Sequence, residues 1–231
     1  AIDSTMVQTF KNATIAMDEQ KNELADSLYT IVYEKAPNFD PLLRRLGALK
    51  VMLGETTKGL AMCEKSVEIN RSAYNLSALA NAYLMQNDSA NLIKAQQLLK
   101  EAINLPEGDE IDILANFAQV SFQLNDIANA HQGIAIMRSK YPDEMLTHYF
   151  YSFVLASEEK WIDAKKEILK AQEKGLPQED VDRFLDSGIN SEVLKINAMI
   201  YFGVILGVWM LGLLFLFLIG KLFSKLTLKA I

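Results

Sequence analysis

Residues able to do covalent or metal chemistry are few and scattered in this chain. His131 and His148 are its two histidines, and neither has a partner at metal-ligand spacing. No His-Glu-x-x-His and no Cys-x-x-Cys occurs, so no metal or cofactor is expected. Cys63 is the single cysteine, which excludes an intrachain disulfide. With no histidine near it in sequence, it is expected to be a buried structural thiol rather than a nucleophile. The acidic pairs Asp109–Glu110 and Glu158–Glu159 could suggest acid–base work. They fall at turns and helix starts, where carboxylates are solvated and oppose the helix dipole. No glycine-rich phosphate loop is present. The sequons at Asn12, Asn75 and Asn87 are short, and the first two lie on expected helices. The residues point to binding rather than catalysis, and an enzyme is not expected.

The elements that would position binding residues are helices repeating at a fixed period. Leu114, Phe117, Ala118, Asn125, Ala130, Ile134 and Pro142 mark one unit. Thirty-four residues later, His148, Tyr151, Ser152, Glu159, Ala164, Ile168 and the pair Leu176–Pro177 mark another. The apolar spacing predicts helix pairs over 4–19 and 22–36, 42–54 and 56–69, 73–86 and 92–105, 109–125 and 129–139, and 145–158 and 161–173. Residues 180–186 form a short charged cap. No stretch alternates long enough to need a sheet. Such hairpins cannot bury their apolar faces alone and must stack.

The pairs resemble tetratricopeptide repeats. That family places a large then a small residue in its first helix. Its second helix carries small, large and small residues, and a proline usually ends the repeat. Here the third pair supplies Leu79–Ala80, Tyr83, Ala95, Leu99, Ala102 and Pro106. The fourth supplies Phe117–Ala118, Ala130, Ile134 and Pro142, and the fifth Tyr151–Ser152, Trp161, Ala164, Ile168, Ala171 and Pro177. The second supplies Leu46–Gly47, Gly59, Cys63 and Ser66, with Arg71 where proline is usual; the first supplies Tyr33, Ala36 and Asp40–Pro41. Lys50 and Ser121 stand where an aromatic is usual, and Met137 where a small residue is, so helix crossings there are expected to change.

The resemblance implies an all-α solenoid of about five helix pairs over residues 4–178. Its first helices would line a concave face that binds an extended or helical peptide. The family register places Arg44, Arg45, Ser77, Asn81, Asn116, Gln119, Tyr149 and Phe153 on or near that face. Asn and Gln amides can bond a peptide backbone, Tyr and Phe can bury an apolar anchor, and Arg44 and Arg45 could fork a carboxylate. This partly resembles the carboxylate clamp of chaperone-binding members, but the expected lysines are missing. Tyr149 and its aromatic neighbours could instead pack on the cap or face a membrane.

Residues 198–220 differ in kind. They are 23 residues without a charge, about 34 Å as a helix, against a hydrocarbon core of about 30 Å. The expected organisation is therefore a repeat domain over 4–178, a capping helix and juxtamembrane linker over 179–196, a transmembrane helix over 197–220 and a basic tail over 221–231. Gly203 and Gly207 form a Gly-x-x-x-Gly, a candidate contact for a transmembrane partner helix or a homodimer. Of the 23 Lys and Arg only Lys221, Lys225 and Lys229 follow Asn197, leaving 20 against 29 acidic residues and a net charge of −9 before it. An acidic body argues against nucleic-acid partners.

The trailing lysines place the C-terminus in the cytoplasm by the positive-inside rule. In a bacterium the repeats would then be periplasmic on an inner-membrane anchor, and Ala1 is compatible with a cleaved signal peptide. The alternative is a tail anchor with cytosolic repeats. The expected function is a membrane-anchored scaffold that binds a protein or peptide. The alternatives are the non-catalytic part of a larger membrane enzyme, such as a zinc metallopeptidase, and a tail-anchored organelle adaptor.

Overall fold

The computed structural model of the protein describes residues 4–86 and 88–227. Helical segments alternate with short turns. They are α1 (Ser4–Asp18), α2 (Asn22–Lys35), α3 (Asp40–Met52), α4 (Thr56–Ile69), α5 (Ala73–Leu84), α6 (Ser89–Ala102), α7 (Ile111–Gln123), α8 (Ile127–Lys140), α9 (Met145–Ser157), α10 (Trp161–Glu173) and α11 (Gln178–Phe184). A π-turn at Leu185–Ile189 leads into α12 (Asn190–Thr227). There is no strand among the described residues. The sequence places α6 at residue 92, but it starts at Ser89. The reason is local: Asp88 caps it, its carboxylate accepting the Asn91 N–H at 3.0 Å.

Four of the turns inside the repeats share one geometry. Gln20, Gly54, Asn125 and Glu159 all take left-handed φ values, of 60°, 86°, 54° and 60°. The next N–H then reaches back five residues. Lys21 donates to Ala16, Glu55 to Lys50, Asp126 to Ser121 and Lys160 to Leu155, each at 2.8 Å. This closure satisfies carbonyls that a helix end leaves open. Gly54 takes it without strain, whereas Gln20 and Glu159 carry a Cβ into a region that costs them about 1 kcal/mol.

Stacking sets the curvature. Each hairpin packs internally, and successive first helices also touch: α1 with α3, α3 with α5, α5 with α7, and α7 with α9. The second helices are held by the first helices on either side of them. The first helices therefore form the crowded inner layer and the second helices the outer one. Leu42, Leu43, Leu46, Leu49, Leu76, Leu99, Leu114, Phe117, Ile134 and Ile168 fill the space between them, all essentially without exposure.

Small residues set the tightest crossing, between α3 and α4. A Cβ on Gly59 would lie 2.5 Å from Gly47 O, and a Cβ on Gly47 would lie 2.7 Å from Cys63 Sγ. Burial pushes the Cys63 thiol up to about 12, so the thiolate is not populated at neutral pH.

The three departures from the repeat pattern are buried. Met137 is packed in the core. Ser121 Oγ donates to Phe117 O at 2.7 Å and accepts from Gln96 at 3.3 Å. Lys50 is 6% exposed, with Nζ 2.9 Å from Asp26 and 2.7 Å from Glu55. It joins α2, α3 and the start of α4 where an aromatic ring would otherwise sit.

At the C-terminal end, Phe184, Val181 and Ile189 cover Ile168, Ala171 and Leu155. Gly188, at φ +118°, turns the chain into α12. Lys165 donates to Asn190 at 2.8 Å and fixes the junction with α10. Beyond residue 197, α12 leaves the solenoid, and residues from Met199 to Leu213 expose their apolar side chains. One helix is therefore long and apolar enough to cross a membrane.

Gly59→Ala gains about 1 kcal/mol of helix propensity, but its methyl meets backbone that cannot yield. The expected net loss is about 1–3 kcal/mol, read by denaturant unfolding in detergent. Gln20→Gly, by relieving the left-handed residue, should raise stability by about 0.5–1 kcal/mol in the same assay. A pH titration tests the Lys50 site. The hydrogen bond from Lys50, then that from Lys58, holds the Glu55 carboxyl below its usual value. Its stabilisation is thus present above the unfolded pKa of about 4.3 and is lost as pH falls through the lower folded value. Lys50→Met should flatten that acid-side decline.

Candidate functional site

The inner layer encloses a groove of about 370 Å³ across the middle three hairpins. From α3 come Arg44, Arg45 and Ala48; from α5, Tyr74, Ser77, Ala78 and Asn81. From the start of α7 come Glu110, Asp112, Ile113 and Asn116, and Met17 closes one side. Helical spacing explains why one helix delivers several of them. Ser77 and Asn81 are four residues apart on one face, as are Asp112 and Asn116, and Tyr74 lies one turn before Ser77.

Arg44 is fixed rather than free. Its Nη1 donates to Asn75 Oδ1 at 3.5 Å, and its guanidinium lies 5.2 Å from the centre of the Tyr74 ring. Burial, then the neighbouring Arg45 charge, draws its pKa below the usual arginine value. Asn75 has no exposure and gives its amide to Asp40, Ser66 O and Asn70 O at 3.0, 3.1 and 2.8 Å. It is a structural strut, and burial closes it to glycosylation. Asn81 is different: its Oδ1 is buried with no hydrogen-bond partner among the described residues. A buried acceptor left unpaired costs about 1–3 kcal/mol, so it is poised to take a donor from outside.

The groove brings together Arg44, Arg45, Ser77, Asn81 and Asn116 from the expected concave set. Gln119 is exposed further along α7 and is not among the lining residues. Tyr149 and Phe153 lie elsewhere. Phe153 stacks edge-on against Tyr149 and Phe184, with ring centres 5.1 and 4.9 Å apart, and lies 5.6 Å from Phe122. These rings dock the capping helix α11 onto α9. Gly203 and Gly207 face open space on α12. Asn87 and Lys229 lie outside the described residues.

Sequence reasoning passed over Tyr74, Glu110 and Asp112. A signal for Asp112 existed: it follows Ser77 by 35 residues, as Asn116 follows Asn81. Glu110 is expected, with Asp109, to be a solvated helix-start carboxylate. Both histidines face carboxylates, His148 Nδ1 at 2.6 Å from Glu167 and His131 Nε2 at 3.5 Å from Glu158.

No family model matches the sequence. Among solved structures, a thermophilic tetratricopeptide repeat (TPR) protein of Thermus thermophilus is similar with a TM-score of 0.64 at 16% identity, over 82% of this chain and 99% of that one. A TPR protein from Parabacteroides merdae gives 0.61 at 15% identity, over 78% and 70%. YrrB, described as a TPR protein with an unusual peptide-binding site, gives 0.54 at 15%, over 75% and 88%. Identities this low establish the fold: the chain is a TPR-type helical-hairpin solenoid. Among curated proteins, Proton pump-interactor 1 of Arabidopsis thaliana is 34% identical over 89 residues, 38% of this chain. The chain spans 14% of that relative's length.

If Asn81 is retained for a ligand, removing its unpaired acceptor should not harm the fold. Asn81→Leu is expected to hold or raise the thermal midpoint in detergent. A fall of several degrees would show that the amide is structural.

Proposed function

We propose that the protein is a membrane-anchored interaction scaffold. Its concave groove, centred on Arg44, Arg45, Ser77, Asn81 and Asn116, holds an extended segment of a partner protein. The observation that carries this reading is the buried, unpartnered Asn81 Oδ1 inside a groove also lined by Arg44, Arg45, Ser77 and Asn116. An extended peptide offers one backbone N–H after another, which such an acceptor matches. Gln119, Tyr149 and Phe153 would contribute at most along a longer ligand, beyond the groove itself.

In this reading, residues 4–178 form the binding body and 179–196 the cap and juxtamembrane link. Residues 197–220 form the single membrane span and 221–231 the basic tail. The lysines after the span favour a cytoplasmic C-terminus with the repeats on the opposite side, the periplasm of a bacterium. A tail anchor with cytosolic repeats is the alternative, and protease protection in sealed vesicles separates them. Gly203 and Gly207 would let a second transmembrane helix, from a partner or another copy, approach closely.

Two experiments test the proposal. A photo-crosslinking residue at Ser77 should capture a discrete partner in native membranes, whereas the same residue at Ile93 on the outer layer should not. Equal capture from both would move the binding surface elsewhere. A chain ending at residue 196 should stay soluble and helical after release from the membrane. Its aggregation would argue against a self-contained repeat body.

A further inference from the structure

The two ends of the groove carry opposite charge, and the charges are not spent on each other. Arg44 and Arg45 stand on α3, while Glu110 and Asp112 stand at the start of α7. Between them lies α5, which has no charged residue over Ala73–Leu84. None of the four charged side chains is in an ion pair among the described residues, although both pairs set like charges side by side. The carboxylate nearest Arg44 in sequence, Asp40, is occupied by the amides of Asn70 and Asn75, each at 3.0 Å. Away from the groove, Arg71 pairs with Glu101, Lys140 with Asp109 and Arg183 with Glu179. The groove thus keeps a cationic end on α3 and an anionic end at the start of α7, with no ion pair drawn between them among the described residues.

We propose that this groove, on the concave-face reading given above, takes a peptide in a single direction set by charge. A ligand carboxylate side chain meets Arg44 and Arg45, and a ligand Lys or Arg meets Glu110 and Asp112. A ligand backbone N–H between them donates to Asn81 Oδ1. The axes of α3 and α7 are two helix spacings apart, about 16–20 Å. Side chains reaching inward from both ends shorten the gap, so an extended ligand places its acid and base about three to five residues apart. Reversing the ligand would set like charges together at both ends, and this repulsion selects direction. The groove therefore discriminates against purely acidic peptides as well as purely basic ones.

The test uses the full chain in detergent micelles and a randomised library of short peptides, acetylated at the N-terminus and amidated at the C-terminus, so that only side chains carry charge. Selection should enrich one acidic and one basic residue in fixed order at that separation. Affinity of an enriched peptide, read by fluorescence polarisation, should fall about tenfold with Arg45→Ala and with Asp112→Ala. The double variant Arg45→Glu with Asp112→Lys should prefer the opposite order, an outcome that simple damage to the groove cannot produce. Enrichment of acidic residues alone, with Asp112→Lys leaving affinity unchanged, overturns the directional reading and leaves the peptide groove standing. Failure to enrich any peptide whose binding responds to Asn81→Ala overturns both.

Discussion

A helical hairpin of this size has one apolar stripe per helix and no interior of its own, so its stability depends on what it stacks against. That need governs the molecule from α1 to the cap. It explains why Gly47 and Gly59 occupy the α3–α4 crossing, where any larger residue would hold two backbones apart. It also explains the exposure pattern at the C-terminal end. The last hairpin, α9 and α10, would leave Ile168, Ala171 and Phe153 facing water without the short helix α11, whose Phe184 and Val181 cover them. The same aromatic residues could have served a ligand on an open repeat. On the terminal one they serve the stack.

The inner layer of first helices follows from the same constraint. Because α3, α5 and α7 touch one another in succession, their outward turns are brought side by side into one surface. Among the polar atoms on it, Asn81 Oδ1 is left without a hydrogen-bond partner among the described residues. Lys50 shows the contrast. It is a buried cation at a position of structural importance, and it is matched by two carboxylates. Asn81 Oδ1 has no such match among the described residues.

The apolar segment of α12 is joined to this body through α10, α11 and the π-turn, not through a long structureless linker. The Lys165 to Asn190 bond and the packing of Val193 hold the first turns of α12 against the last hairpin. A membrane span beginning just after these contacts would keep the solenoid close to the bilayer, with the groove on the middle three hairpins set back from it.

The sequence alone determined the helix pairs, their near-34-residue period, the burial of Cys63 and the position of the apolar span. Those properties are carried by residue type and spacing within one or two helices, where the periods of helix and repeat are directly legible. Arg44, Arg45, Ser77, Asn81 and Asn116 line one groove for the same reason, since a register repeated from helix to helix fixes which face each occupies. The tertiary structure alone decided the rest. It sets the half-buried Phe153 against Tyr149 and against Phe184 of α11, the cap packing that the sequence left as one of two arrangements for these rings. It brought Glu110 and Asp112 opposite Arg44 and Arg45, more than 60 residues away in sequence. It also showed that Asn75 is satisfied and Asn81 is not. Which of two asparagines on one helix is spent depends on partners from other helices, and no local pattern records them.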